Sequence, residues 1–77
     1  MHDFVIRLHS VRDVNDFVTL SAPLCRVSLS DGFRTVDGKS FIEIFCLRLS
    51  GPITVHAECT EEEFHRFFQE SQRFLLP

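Results

Sequence analysis

An α+β fold in the order β-α-β-β-α-β-α is what three features of this 77-residue sequence predict. Short segments alternate apolar and polar residues with the period of a strand, while others repeat apolar residues with the period of a helix. Polar capping residues stand immediately before the helical segments. An Asp-Gly pair between two alternating runs marks a hairpin. A four-stranded antiparallel sheet with three helices on one face packs these elements most economically. The chain has no linker, repeat or low-complexity segment, so residues 1–77 read as one domain.

The elements follow in order. Phe4, Ile6 and Leu8 alternate with Val5, Arg7 and His9, a first strand with one apolar face. Ser10 reads as an N-cap, and Val11, Val14, Phe17 and Val18 continue at helical spacing to about Ser21. Pro23 stops that helix, because it cannot extend the hydrogen-bond ladder. Cys25, Val27 and Leu29 alternate with Arg26, Ser28 and Ser30 as a second strand. Asp31-Gly32 turns the chain into a short third strand over 33–36. Ser40 and Glu43 have capping-box spacing, and Phe41, Ile44, Phe45 and Leu49 predict a second helix ending near Gly51-Pro52. Ile53, Val55 and Ala57 alternate with Thr54, His56 and Glu58 as a fourth strand. Thr60 and Glu63 form another box, with three acids in the first turn to suit the helix dipole. Phe64, Phe67, Phe68, Ser71, Phe74 and Leu75 carry a last helix to the C-terminus.

Composition narrows the function classes. At 44% hydrophobic and 25% charged, the chain is globular rather than disordered. So short a chain has a thin core, and the nine Phe are expected to carry much of it in the absence of Trp and Tyr. A net charge of −3 with singly scattered Lys and Arg argues against a nucleic-acid surface. Cys25, Cys46 and Cys59 are an odd set without Cys-x-x-Cys spacing, which predicts reduced and mostly buried thiols. No apolar run approaches the roughly 20 residues of a membrane span, and no signal-peptide pattern opens the sequence. A cytoplasmic protein without membrane attachment is the expectation.

Few residues suggest chemistry. Ser40 opens a helix where a phosphoryl group would meet free amides and the positive dipole end, so it is a candidate for regulatory phosphorylation as well as a cap. Phe41, Ile42 and Phe45 surround a short helix that can bury only one stripe, so part of them is expected to remain exposed as a docking patch. His2, His9, His56 and His65 are spread over several elements. His9 and His56 would face one another if the first and fourth strands paired, but no physiological metal site follows from so few ligands. No Ser-His-Asp triad, carboxylate pair or phosphate loop can be read, and no cofactor is expected.

The segment Val36-Asp-Gly-Lys-Ser-Phe-Ile-Glu-Ile-Phe-Cys-Leu-Arg-Leu49 resembles the regulatory-serine helix of HPr, the phosphocarrier family of the sugar phosphotransferase system. In that family a Lys-Ser pair opens a short helix, a strand like Ile53–Glu58 follows, and an acid-capped helix ends the chain. The resemblance implies an HPr-like open-faced β-sandwich. It implies partners among phosphotransferase-system enzymes, a kinase or a regulator, met by a monomer or weak dimer. It also places Ser40 at the regulatory site and Phe41, Ile42 and Phe45 at the partner-docking helix. The family's phosphoryl-accepting motif reads Gly-Leu-His-x-Arg-Pro-Ala, against Leu8-His9-Ser10-Val11-Arg12-Asp13-Val14 here. His9 and Arg12 are the catalytic candidates, but one extra residue separates them and Asp13 replaces the Pro.

The resulting expectation is a regulatory or docking variant rather than an independent catalyst. A weak phosphocarrier using His9 is one alternative. The other is an ACT-type ligand-binding domain of ferredoxin-like fold, which strand order distinguishes.

Overall fold

The computed structural model describes residues 2–24 and 26–75. Its elements are β1 (His2–Ile6), α1 (Val11–Ser21), β2 (Arg26–Ser30), β3 (Thr35–Asp37), α2 (Phe41–Ile44), β4 (Ile53–Glu58) and α3 (Glu61–Glu70), with a 3-10 turn over Gln72–Phe74. The α+β class and the element order are as predicted. The four strands form one sheet in the order β1-β4-β2-β3, and every neighbouring pair is antiparallel.

Register decides which residues face the helices. Phe4 pairs with Val55, Ile6 with Ile53, Val27 with Ala57, and Leu29 with both Val55 and Val36. Apart from Phe4 and Val36, which are partly buried, these side chains are closed off from solvent and meet Val14, Phe17, Ile44, Leu47, Phe67 and Phe74 from the helical layer. The intervening residues, including Asp3, Thr54, His56, Ser28 and Asp37, share the other, uncovered face of the sheet.

The nine Phe do not act as one core. Phe17, Phe67 and Phe74 are buried, with edge-on ring contacts from Phe17 to Phe67 at 5.7 Å and to Phe74 at 6.0 Å. Phe4, Phe64 and Phe68 form a half-buried cluster beside them, with centroids 5.3–5.8 Å apart. Phe33, Phe41 and Phe45 are exposed. The thiols also depart from expectation, since Cys46 is exposed and Cys59 only half-buried, while Cys25 lies outside the described residues.

Several boundaries differ from the sequence reading for identifiable reasons. β1 ends at Ile6 because its partner β4 begins at Ile53, directly opposite. Leu8 is nonetheless buried, so the alternation reported burial two residues beyond the ladder. There the C-terminal segment takes over the backbone: Arg7 N donates to Phe74 O at 2.8 Å, and Ile6 bridges Leu75. Phe33 and Arg34 belong to the hairpin loop rather than to a strand, because Asp31 Oδ1 accepts both of their amides at 2.8 Å. Gly32, at φ 95°, provides the left-handed position this loop needs.

The second helix is one turn, not a run to Gly51. Its continuation tightens into i→i−3 bonds from Phe45 N to Ile42 O, Cys46 N to Glu43 O and Leu47 N to Ile44 O. The Arg48 amide is then captured by Asp31 Oδ2 at 2.8 Å, which commits the chain to a loop. The last helix stops at Glu70, where buried Ser71 begins the 3-10 turn that drives Phe74 into the core. A continued α-helix would not bring Leu75 onto Ile6. Among the described residues, no helix is long and apolar enough to cross a membrane.

Candidate docking surface

His9 lies in the connection between β1 and α1, beyond the end of the strand on which the alternation placed it. Ser10 is the N-cap of α1, and its Oγ accepts the Asp13 amide at 3.1 Å. Asp13 Oδ2 in turn accepts the His9 amide at 2.9 Å. The reciprocal bonds occupy the N-terminus of α1 with a carboxylate from the chain itself, which favours the dipole but opposes a second anion at the same place. Arg73 holds this arrangement from the C-terminal side, 3.3 Å from Asp13 Oδ1 and 2.6 Å from Asp16 Oδ2.

Arg12 does not join His9. Its side chain is 87% exposed and its Nε is 3.9 Å from Asp16, one turn along the helix. The arginine that shares a groove with His9 is Arg7. Arg7, His9, Ser10, Val11, Phe45 and Leu49 are among the residues lining a shallow depression of about 410 Å³. Arg7 Nη2 donates to Ser50 O at 2.9 Å. Nothing local in the sequence marks Arg7 for this position, because the loop that receives it is more than forty residues away along the chain. Val11, assigned by spacing to the inner face of α1, is instead exposed at its first turn.

α2 supplies the other wall. One turn of helix offers one inward position, taken by fully buried Ile44. Phe41, Ile42 and Phe45 are left 37%, 79% and 43% exposed. Phe41 and Phe45 meet edge-on at 5.0 Å, so these two rings form one apolar unit beside the His9 groove. Ser40 caps this turn through Oγ, which accepts the Glu43 amide at 3.3 Å. The Ser40 amide donates to Asp37 O at 3.1 Å instead of to the Glu43 carboxylate, so only half of the expected box forms. At Thr60 the full reciprocal box is present.

No family model and no curated protein matches this chain.

The histidines do not assemble into a metal centre. β1 and β4 do pair, but His56 stands opposite Asp3, and its Nδ1 is 2.7 Å from Asp3 Oδ1. His9 is past the end of that ladder. Among the described residues, no group of three or more His, Cys, Asp or Glu side chains could hold a metal ion. The arrangement around His9 therefore combines an exposed imidazole, an anchored arginine and apolar side chains from the start of α1 and from the segment that follows α2. Those parts suit recognition of a protein surface.

Proposed function

We propose that this chain is an HPr-like docking module that binds a protein partner through Phe41, Ile42 and Phe45 and does not carry phosphoryl groups. The observation that carries this reading is the exposure of all three apolar side chains on a one-turn helix, with Phe45 lining the His9 groove. Exposed apolar side chains grouped in this way commonly mark an interaction surface. The element order, the edge position of β1 beside β4 and the helices gathered on one face of the sheet support the HPr-like reading. The ACT-type alternative calls for the split βαβ arrangement, in which the first strand lies inside the sheet, and the edge position of β1 here does not favour it.

Asp13 argues against the phosphocarrier alternative. A phosphoryl group on His9 would approach a helix N-terminus already engaged by a carboxylate, with Arg12 directed elsewhere. Ser40 remains the candidate for regulatory phosphorylation, at the edge of the same docking surface.

Two measurements test the proposal. Incubation with phosphoenolpyruvate and enzyme I should leave the protein unlabelled. Stoichiometric acid-labile label lost in His9→Ala would establish the carrier instead. Calorimetric titration against enzyme I and the HPr kinase should detect binding that Ile42→Ser weakens. Burying a large apolar side chain is worth about 1.5–3 kcal/mol, or roughly tenfold or more in affinity. Binding to neither enzyme would remove the docking reading.

A further inference from the structure

The β2–β3 hairpin presents a rigid aromatic tip. Phe33 is 82% exposed, the most exposed large apolar side chain among the described residues. Its loop is tied by Asp31, whose carboxylate accepts the amides of Phe33, Arg34 and Arg48, each at 2.8 Å. The Arg48 guanidinium lies over the Phe33 ring, 4.9 Å from its centroid, and Arg34 is exposed next to it. Asp31 stays ionised beneath these amides, so the tip displays one aromatic ring and two cations against one carboxylate, a net positive patch on a chain whose net charge is −3. An ordered aromatic–arginine pair loses little freedom on binding, the property of an interface anchor.

A complementary feature lies toward the other end of the sheet. β4 runs from Ile53, near the hairpin, to Glu58, and its Ala57 pairs with His2. There His2 stacks on Phe64 with centroids 4.3 Å apart. The two rings line an open depression of about 650 Å³ that also includes Glu61, Glu62 and Arg66. The two carboxylates outweigh the single arginine. Aromatic rings beside acidic side chains complement, in chemistry and in sign, an aromatic tip flanked by arginines.

We infer that the Phe33–Arg48 tip of one molecule docks into the His2–Phe64 depression of a second copy, giving head-to-tail self-association. Because the two patches differ and lie toward opposite ends of the sheet, the contact is heterologous. It propagates into longer assemblies unless the rotation closes a ring. Its small size places it among weak, concentration-dependent contacts.

Sedimentation velocity on the intact chain from about 10 μM to 1 mM should show the weight-average mass rising from the monomer toward at least twice that value. The rise should be suppressed in about 0.5 M salt, where exposed charges are screened. Phe33→Ser, which retains the backbone bonds of the loop, should abolish it. So should two charge reversals, Arg34→Glu with Arg48→Glu at the tip and Glu61→Arg with Glu62→Arg at the depression, each sedimenting as a monomer. An equimolar mixture of the two reversed proteins should associate again, since each tip then finds an oppositely charged depression. Circular dichroism establishes that each variant is folded. A wild-type protein that stays monomeric to 1 mM, a Phe33→Ser variant that associates as wild type does, or folded reversed variants whose mixture stays monomeric would each overturn the inference.

Discussion

Removing the two helix-capping hydroxyls should destabilise the domain unequally, although the sequence presents both as the same motif. In the Thr60→Ala variant, the Glu63 amide loses its acceptor at 3.1 Å. The Glu63 carboxylate retains its bond from the Thr60 amide at 3.0 Å but loses its 3.2 Å contact with the hydroxyl. This cap serves a ten-residue helix whose Phe67 is in the core, so fraying of its first turn loosens packed structure. A loss of about 1 kcal/mol is expected, typical of an N-cap hydroxyl. Ser40→Ala removes a longer bond of 3.3 Å from a turn of four residues, while the Ser40 amide keeps its separate acceptor on Asp37. About 0.5 kcal/mol is expected there, at the low end for such a cap. Ser40→Asp should be nearly neutral, since Asp caps as well as Ser. Urea melts of the wild type and the three variants at one pH provide the measurement, with equal m-values indicating that only stability has changed. A Ser40→Ala loss greater than that of Thr60→Ala would refute the reasoning, because α2 would then be more than the locally capped turn described above.

Phe17→Ala should cost about 3–5 kcal/mol in urea unfolding, because the side chain is fully buried between Phe67 and Phe74. Gly38→Ala should cost about 1–3 kcal/mol by overpacking, since a Cβ there would lie 2.7 Å from Val27 Cγ1 and 3.1 Å from Val27 O. A melt coincident with wild type would show that β2 can move away. The Asp31 carboxyl is held at about 2, below its usual 3.8, chiefly by the Arg48 amide and then by those of Phe33 and Arg34. Because the folded value is the depressed one, its stabilising effect is complete above about pH 4 and lost as pH falls toward 2. Wild type should therefore lose its advantage over Asp31→Asn across that window, as followed by thermal melts. A constant difference between the two from pH 5 to 2 would contradict it.

Local chemistry by itself determined the elements whose signals were complete within a few residues. β4 spans the alternating segment from Ile53 to Glu58, and α3 begins behind the Thr60 box. α1 runs from the Ser10 cap to Ser21, just before Pro23. In each case the pattern and the terminating residue agree, so tertiary packing had nothing to override. The exposure expected around Phe41, Ile42 and Phe45 was likewise legible, because a helix cannot bury every side. The tertiary structure decided what depended on distant partners. Asp31 takes the Arg48 amide beyond the end of α2, and Ile6 and Arg7 hold the C-terminal segment on the edge of β1. It also placed Arg7 rather than Arg12 beside His9, through a carbonyl on Ser50. Periodicity reports which side of an element is apolar, whereas a hydrogen bond across seventeen or forty-three positions leaves no periodic trace in the sequence.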